Sequence, residues 1–295
     1  MARERLQTAT AGRAVSRAGL FATGSRQLAL PIEARGLSEV TIASGSLVIT
    51  PDYDVLAWLC TRWKQRPTES GWMRPSLYEI GSDLYDKAPS GEDYRTLRKS
   101  LSRLATVSLT LFGIDGITGE HDRDAFIEGE GLLVWTGSTA LALDGRYRPG
   151  VQLAGWLRRA IDEGAPVRLH WRTLRSFSKN QKLAKRLWIY LHAERWKRTG
   201  DGSAEATWIA CGDRLFAALG MDYAQPRQAR AALKRACETI RHKDARFAAG
   251  QLDIVKVGSS WRVQARRPTW ECWRELKAEH EEARRAIAVS LAKAA

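Results

Sequence analysis

The stretch that most constrains this chain is Gln225–Phe247, QPRQARAALKRACETIRHKDARF. At ~100° per residue, a helix over it places Ala229, Leu233, Ala236 and Ile240 on one face, and Arg227, Arg230, Lys234 and Arg241 on another. Pro226 suits the first helical turn, where a missing N–H costs nothing. Two strand-like runs follow, Leu252–Val257 and Trp261–Ala265, joined by Gly258, Ser259 and Ser260. A helix with a basic stripe and an apolar back, followed at once by a hairpin, has the order of a recognition helix and its wing. This stretch is therefore the expected DNA-reading element.

Length and charge point the same way. With 295 residues the chain is long enough for two domains, and 44% hydrophobic residues with 12 tryptophans can build real cores. A formal net charge of +14 favours a polyanionic partner. No run approaches ~18 apolar residues, so no membrane span is expected. The N-terminus has arginines but no apolar core of a secretory signal. Cys60, Cys211, Cys237 and Cys272 are scattered, which disfavours a local zinc site and suits a reducing cytoplasm.

The rest of the chain reads as two similar halves. Residues 1–36 carry six arginines against two glutamates with little periodicity, and are expected to be a flexible basic arm. Residues 37–148 read as strand, three helices, and two strands. The first helix starts near Asp52. The second is announced by Ser76 and Glu79 in capping-box spacing. The third, Gly91–Thr106, has Leu97, Leu101 and Leu104 on one face and Arg95, Arg98 and Lys99 on another. The expected hairpin is Val107–Phe112 with Ala125–Trp135. Residues 149–267 repeat the order, with a helix expected from Val151 to Glu163 and another from Asn180 to Lys197. Residues 268–295 are expected to form a charged C-terminal helix. Arg95, Arg98, Leu101 and Arg103 match Arg227, Arg230, Leu233 and Arg235 at constant offset, and Trp72 and Trp208 hold corresponding extended pieces. Duplication of one module explains both. The fold class is thus α+β, mainly α, with two tandem winged-helix domains, the second being the main DNA binder.

Enzyme signatures are sparse. The phosphate loop GxxxxGK, GxSxG and HExxH are all absent. His121, His170, His192, His242 and His280 are isolated, so a nicking relaxase lacks its histidine cluster. Asp115, Glu120, Asp122, Asp124, Glu128 and Glu130 could hold a divalent metal, but a polar loop is the simpler reading. No catalysis, cofactor or metal is expected. For DNA, the start of the 225–247 helix offers Arg227, Gln228, Arg230, Lys234 and Arg235 to base edges. Lys179, Lys182, Lys185 and Arg186 suit phosphate contact, and Arg262, Arg266 and Arg267 lie on or past the wing.

Two stretches carry a family likeness: VTIASGSLVITPDYDVLAWL near the start and FSKNQKLAKRLWIYLHAERW before the second reading helix. Together with the tandem order they resemble plasmid replication initiators of the Rep type, the iteron-binding initiators, over about residues 38–267. The resemblance implies binding to directly repeated origin sites by the second domain. It implies dimerisation and secondary DNA contact through Arg95, Arg98 and Lys99 in the first. It further implies a dimer in equilibrium with monomer, repression of its own gene, origin opening, and contact with the host initiator and helicase. A winged-helix transcriptional regulator binding a palindromic operator is the alternative.

Overall fold

The computed structural model describes residues 8–11, 21–22, 39–44, 47–114, 121–136, 150–164, 166–193, 207–210, 215–216, 219, 221, 226–244, 247 and 252–265. The chain is α+β, with helices packed on several small sheets.

The first half is built around α1 (Asp52–Gln65), buried on nearly every side. β5 (Trp72–Met73) follows, then α2 (Leu77–Tyr85) and α3 (Gly91–Thr106). Both later helices begin with a complete capping box, Ser76 with Glu79 and Ser90 with Asp93, which satisfies the first orphan N–H groups of each. Leu97, Leu101 and Leu104 are buried and turn α3 onto the core. The sheet beside these helices consists of β5, β8 (Leu133–Trp135) and β9 (Val151–Leu153), in the order β5-β9-β8. The last strand lies between the other two, which is the winged-helix arrangement.

The second half repeats it. α6 (Lys182–Ala193) precedes β11 (Thr207–Ala210), the helical pair Leu215 and Phe216, α7 (Pro226–Lys243), β12 (Leu252–Val257) and β13 (Ser260–Ala265). Its sheet order is β11-β13-β12, again with the last strand central. The register also repeats. Trp72 faces Gln152 and Met73 faces Val151; Trp208 faces Gln264 and Ile209 faces Val263. Trp72 and Trp208 are therefore equivalent positions of one duplicated module.

Several expectations change. The hairpin after α3, β6 (Ser108–Ile114) with β7 (His121–Glu130), is not the wing of the first unit. It pairs instead with β3 (Glu39–Ser44) in a separate sheet of order β3-β6-β7. The acidic cluster falls on this insertion: Asp122, Asp124, Glu128 and Glu130 lie within β7, while Asp115 and Glu120 lie outside the described residues. The expected helix from Val151 is strand for three residues, and only Gly155–Asp162 (α4) is helical. A division at 148 separates β8 from β9, two paired strands of one sheet. Sequence periodicity could not show this, because three apolar-leaning residues fit either element.

The basic arm is also partly built in. β1 (Thr8–Ala11) pairs antiparallel with β10 (Val167–His170), and β2 (Phe21–Ala22) pairs with β4 (Leu47–Val48). Ala9 and Ala11 are fully buried, and the Thr10 N–H donates to Thr61 Oγ1 of α1 at 2.8 Å. Small side chains let this strand lie close on α1 while its edge bonds β10, so it fastens the two halves. The expected C-terminal helix, 268–295, lies outside the described residues.

Other ties cross the same boundary. Trp63 Nε1 donates to Asp162 Oδ2 at 2.9 Å, anchoring α4 on α1. Arg175 of α5 (Trp171–Ser176) lies 3.4 Å from Asp86. The deepest tie is Lys185, 1% exposed, whose Nζ reaches Asp54 Oδ2 at 2.6 Å and Thr50 Oγ1 at 2.8 Å. Replacing Lys185 with Ala leaves a buried carboxylate uncompensated and is expected to cost about 3–5 kcal/mol. Lys185→Met combined with Asp54→Leu should restore most of that loss. Chemical denaturation of the full chain reads both.

Candidate nucleic-acid interface

α7 is the centre of the site. Ala229, Ala232, Leu233, Ala236, Cys237 and Ile240 are buried, so one face is committed to the core. Its back packs on α6, where Trp188 Nε1 donates to Asp244 Oδ2 at 2.6 Å just past the helix end. Phe177, Trp188, His192 and Phe247 continue this packing as a chain of tilted and edge-on rings. His192 is thus a packing residue, and the His170 ring is held by Thr173 Oγ1 at 2.8 Å. Among the described residues no group of acidic, His and Cys side chains could hold a metal.

The opposite face of α7 is open. Arg227, Gln228, Lys234 and Arg235 are exposed, and no acidic partner neutralises these three cations among the described residues. Arg230 is half-buried, its guanidinium 5.2 Å from the centre of the Trp261 ring at the start of β13. This contact holds Arg230 at the junction of helix and wing. Trp261 was not singled out by the sequence. A half-exposed tryptophan directly after a hairpin turn, one strand away from a basic helix, was the available signal. The wing tip is a tight turn with Gly258 at φ 60, a conformation that favours glycine. Lys256 and the turn residues beside it are exposed.

Arg241 does not belong to the open face. Its Nη1 donates to the Leu252 carbonyl at 2.9 Å and lies 3.9 Å from Asp253 Oδ1. It splints the end of α7 to the first wing strand. The helical wheel placed it with the reading residues because spacing cannot tell which stripe edge meets a following strand.

Lys185 and Arg186 are the larger correction. Both are fully buried, so neither can reach a phosphate. Burial pushes the Arg186 guanidinium down to about 10, where it is still charged at neutral pH. Burial likewise pushes the Asp54 carboxyl up, with Lys185 pulling it back in part. Every residue from Ala184 to Leu191 is buried, and a helix enclosed on all sides turns its charges inward with the rest. Lys179 is exposed and Lys182 half-buried at the first turn of α6, so these two remain available. Arg262 is half-buried on β13, facing Val255 and Ala210 in the sheet register, and Arg266 lies outside the described residues.

In the first half, Arg95, Arg98 and Lys99 are exposed on α3, with Arg95 paired to Glu92 on the same helix. Arg103 is bound at two points by Asp52 of α1, Nε to Oδ2 at 2.8 Å and Nη2 to Oδ1 at 2.6 Å. That bidentate bond holds its guanidinium above its ordinary value. Its counterpart Arg235 is open. Among the described residues, α3 is thus neutralised at Arg95 and Arg103, while α7 is neutralised only at Arg241, near its end.

These features define a protein of two winged-helix units whose second unit presents an exposed cationic helix beside its wing. No protein-family model matches the chain, and no curated protein matches it. Two crystal structures of domains 2 and 3 of RctB align with it. One, a selenomethionine derivative, has 12% identity and a TM-score of 0.45, covering 82% of this chain and 95% of that one. The other has 14% identity and a TM-score of 0.41, covering 87% and 97%. The winged-helix assignment rests on strand order and register, which are independent of that likeness.

Replacing Arg241 with Ala should cost about 1.5–3 kcal/mol of stability, toward the lower end for a partly exposed side chain. It should also raise amide exchange in Leu252–Val257, as hydrogen-exchange mass spectrometry would show.

Proposed function

We propose that the protein binds double-stranded DNA sequence-specifically through α7 and acts as a replication initiator. The carrying observation is the open face of α7, where Arg227, Gln228, Lys234 and Arg235 are exposed on a helix whose back is sealed. Arg227 and Gln228 occupy the first turn, the part of a recognition helix that approaches base edges. Arginine reads guanine through paired bonds, and Gln reads adenine in the same way. Lys179, Lys182 and Arg262 contribute phosphate contact, and Arg98 and Lys99 of α3 supply a secondary contact.

The initiator role comes from the resemblance of the tandem order and of two stretches to plasmid Rep proteins. In this reading the protein binds repeated origin sites, opens the adjacent duplex and recruits host helicase, without catalysis of its own. It works in the cytoplasm as a dimer in equilibrium with monomer and represses its own gene as the dimer.

Footprinting on the DNA flanking its own gene, at ~150 mM salt, tests this directly, since affinity depends steeply on salt. Several protected direct repeats are expected. A single inverted repeat over a promoter would instead identify a transcriptional regulator. On the site so found, Arg227→Ala with Arg230→Ala should cost about 1–3 kcal/mol per lost bidentate contact and relax specificity. Lys179→Ala with Lys182→Ala should weaken all sequences alike and lower the salt slope by about 2. Equal loss on matched and unmatched duplexes for the arginine pair would remove α7 as the reader.

A further inference from the structure

A cleft of about 380 Å³ opens on the first half, between the end of α1, β5 and the start of α2. Its apolar side is Trp58, Trp72 and Met73, and its polar side is Arg62, Arg66 and Arg74. The residues differ in how far they are already used. Trp58 is fully buried, its Nε1 donating to Asp83 Oδ2 at 2.9 Å, with the Arg62 guanidinium 5.2 Å from its ring centre. Arg62 also lies 3.7 Å from Asp83. Trp58 and Arg62 therefore form a satisfied floor.

Trp72, Arg66 and Arg74 are different. Trp72 is half-buried and lines the cleft. The Arg66 and Arg74 side chains are exposed, and their guanidinium groups make no ion pair or hydrogen bond among the described residues. Glu79, the carboxylate on the wall, makes no ion pair with either among the described residues. It keeps its charge, but its Oε2 is turned into the cap of α2, accepting from Ser76 N at 2.7 Å and Ser76 Oγ at 2.9 Å. The loop between the two walls is fixed. Thr68 Oγ1 donates to the Trp72 carbonyl at 3.0 Å, the Gly71 N–H to the Thr68 carbonyl at 3.0 Å, and Gly71 stands at φ 74. That positive φ is what constrains the residue at this position to glycine.

Two unpaired guanidinium groups match the charge of a phosphate monoester, about −1.5 to −2 at neutral pH. An indole beside them offers a stacking surface for a planar base. We propose that this cleft binds a phosphorylated nucleobase, the base stacked on Trp72 and the phosphate held by Arg66 and Arg74. The ligand is either a free mononucleotide or one unit of a single strand. The cleft lies on the first half and shares no residue with α7, so it stands whether or not α7 reads duplex DNA.

Isothermal titration of the full chain with dAMP, with a single-stranded oligodeoxyadenylate and with inorganic phosphate tests the site. Saturable binding of dAMP is expected, with at least a tenfold loss in Arg66→Ala/Arg74→Ala. Trp72→Leu, which keeps an apolar side chain in β5, should weaken dAMP while leaving inorganic phosphate unchanged. The Arg227→Ala/Arg230→Ala variant should bind dAMP as the parent does. Binding of the oligonucleotide but not of dAMP, lost in the same arginine variant, would support the site and assign the strand as its source. No saturable binding of either, or binding indifferent to Arg66 and Arg74, would overturn the proposal.

Discussion

The arrangement of the two halves depends on the contact between Lys185 and Asp54. A buried ion pair is a poor source of stability, because removing two charges from water costs as much as their attraction returns. Here one Asp54 oxygen has no hydrogen-bond partner among the described residues. What the pair gives is position. Lys185 must meet Asp54 and Thr50, and any slide or rotation of α6 on α1 strands two charges in an apolar interior. β1 reinforces the same placement from outside, pairing with β10 while it lies on α1.

Asp52 and Asp54 show how α1 serves as a hub. Residues two apart on a helix point to opposite sides. Asp52 accordingly takes Arg103 from α3, and Asp54 takes Lys185 from α6. One turn of α1 thus orients the reading helix of the first half and the leading helix of the second. The same pairing spends a cation that the duplicate leaves free. Arg103 is closed by Asp52, while Arg235 at the matching position faces outward. The two copies of the module have diverged so that one half builds the frame and the other leaves its cation exposed.

Local signals were legible in the sequence. Ser76 with Glu79 marked a helix start, Pro226 another, and the 3.6-residue periodicity of 226–243 gave the sealed face of α7 and, Arg241 apart, its open one. The missed features are long-range. β9 joins a strand 79 residues earlier, as Trp72 pairs with Gln152 through Met73 with Val151, and β1 joins one about 160 residues later. Nothing in a short window specifies such partners. The buried cations were missed for another reason, since a basic residue was read as solvent-facing by default.

That default had a visible counter-signal. DYDVLAWLC and AKRLWIYL have no polar face wide enough for water, because apolar residues surround the helix on all sides. An acid in one such helix and a base in the other must each find a partner, and Asp54 and Lys185 find each other, while Asp52 takes Arg103 of α3. Read together, the two segments predict the α1–α6 contact that neither predicts alone. Charge composition then has to be divided before it is used. Cations enclosed in the frame cannot contribute to an exposed cationic surface. The exposed set is the smaller one on α7, the start of α6 and the wing.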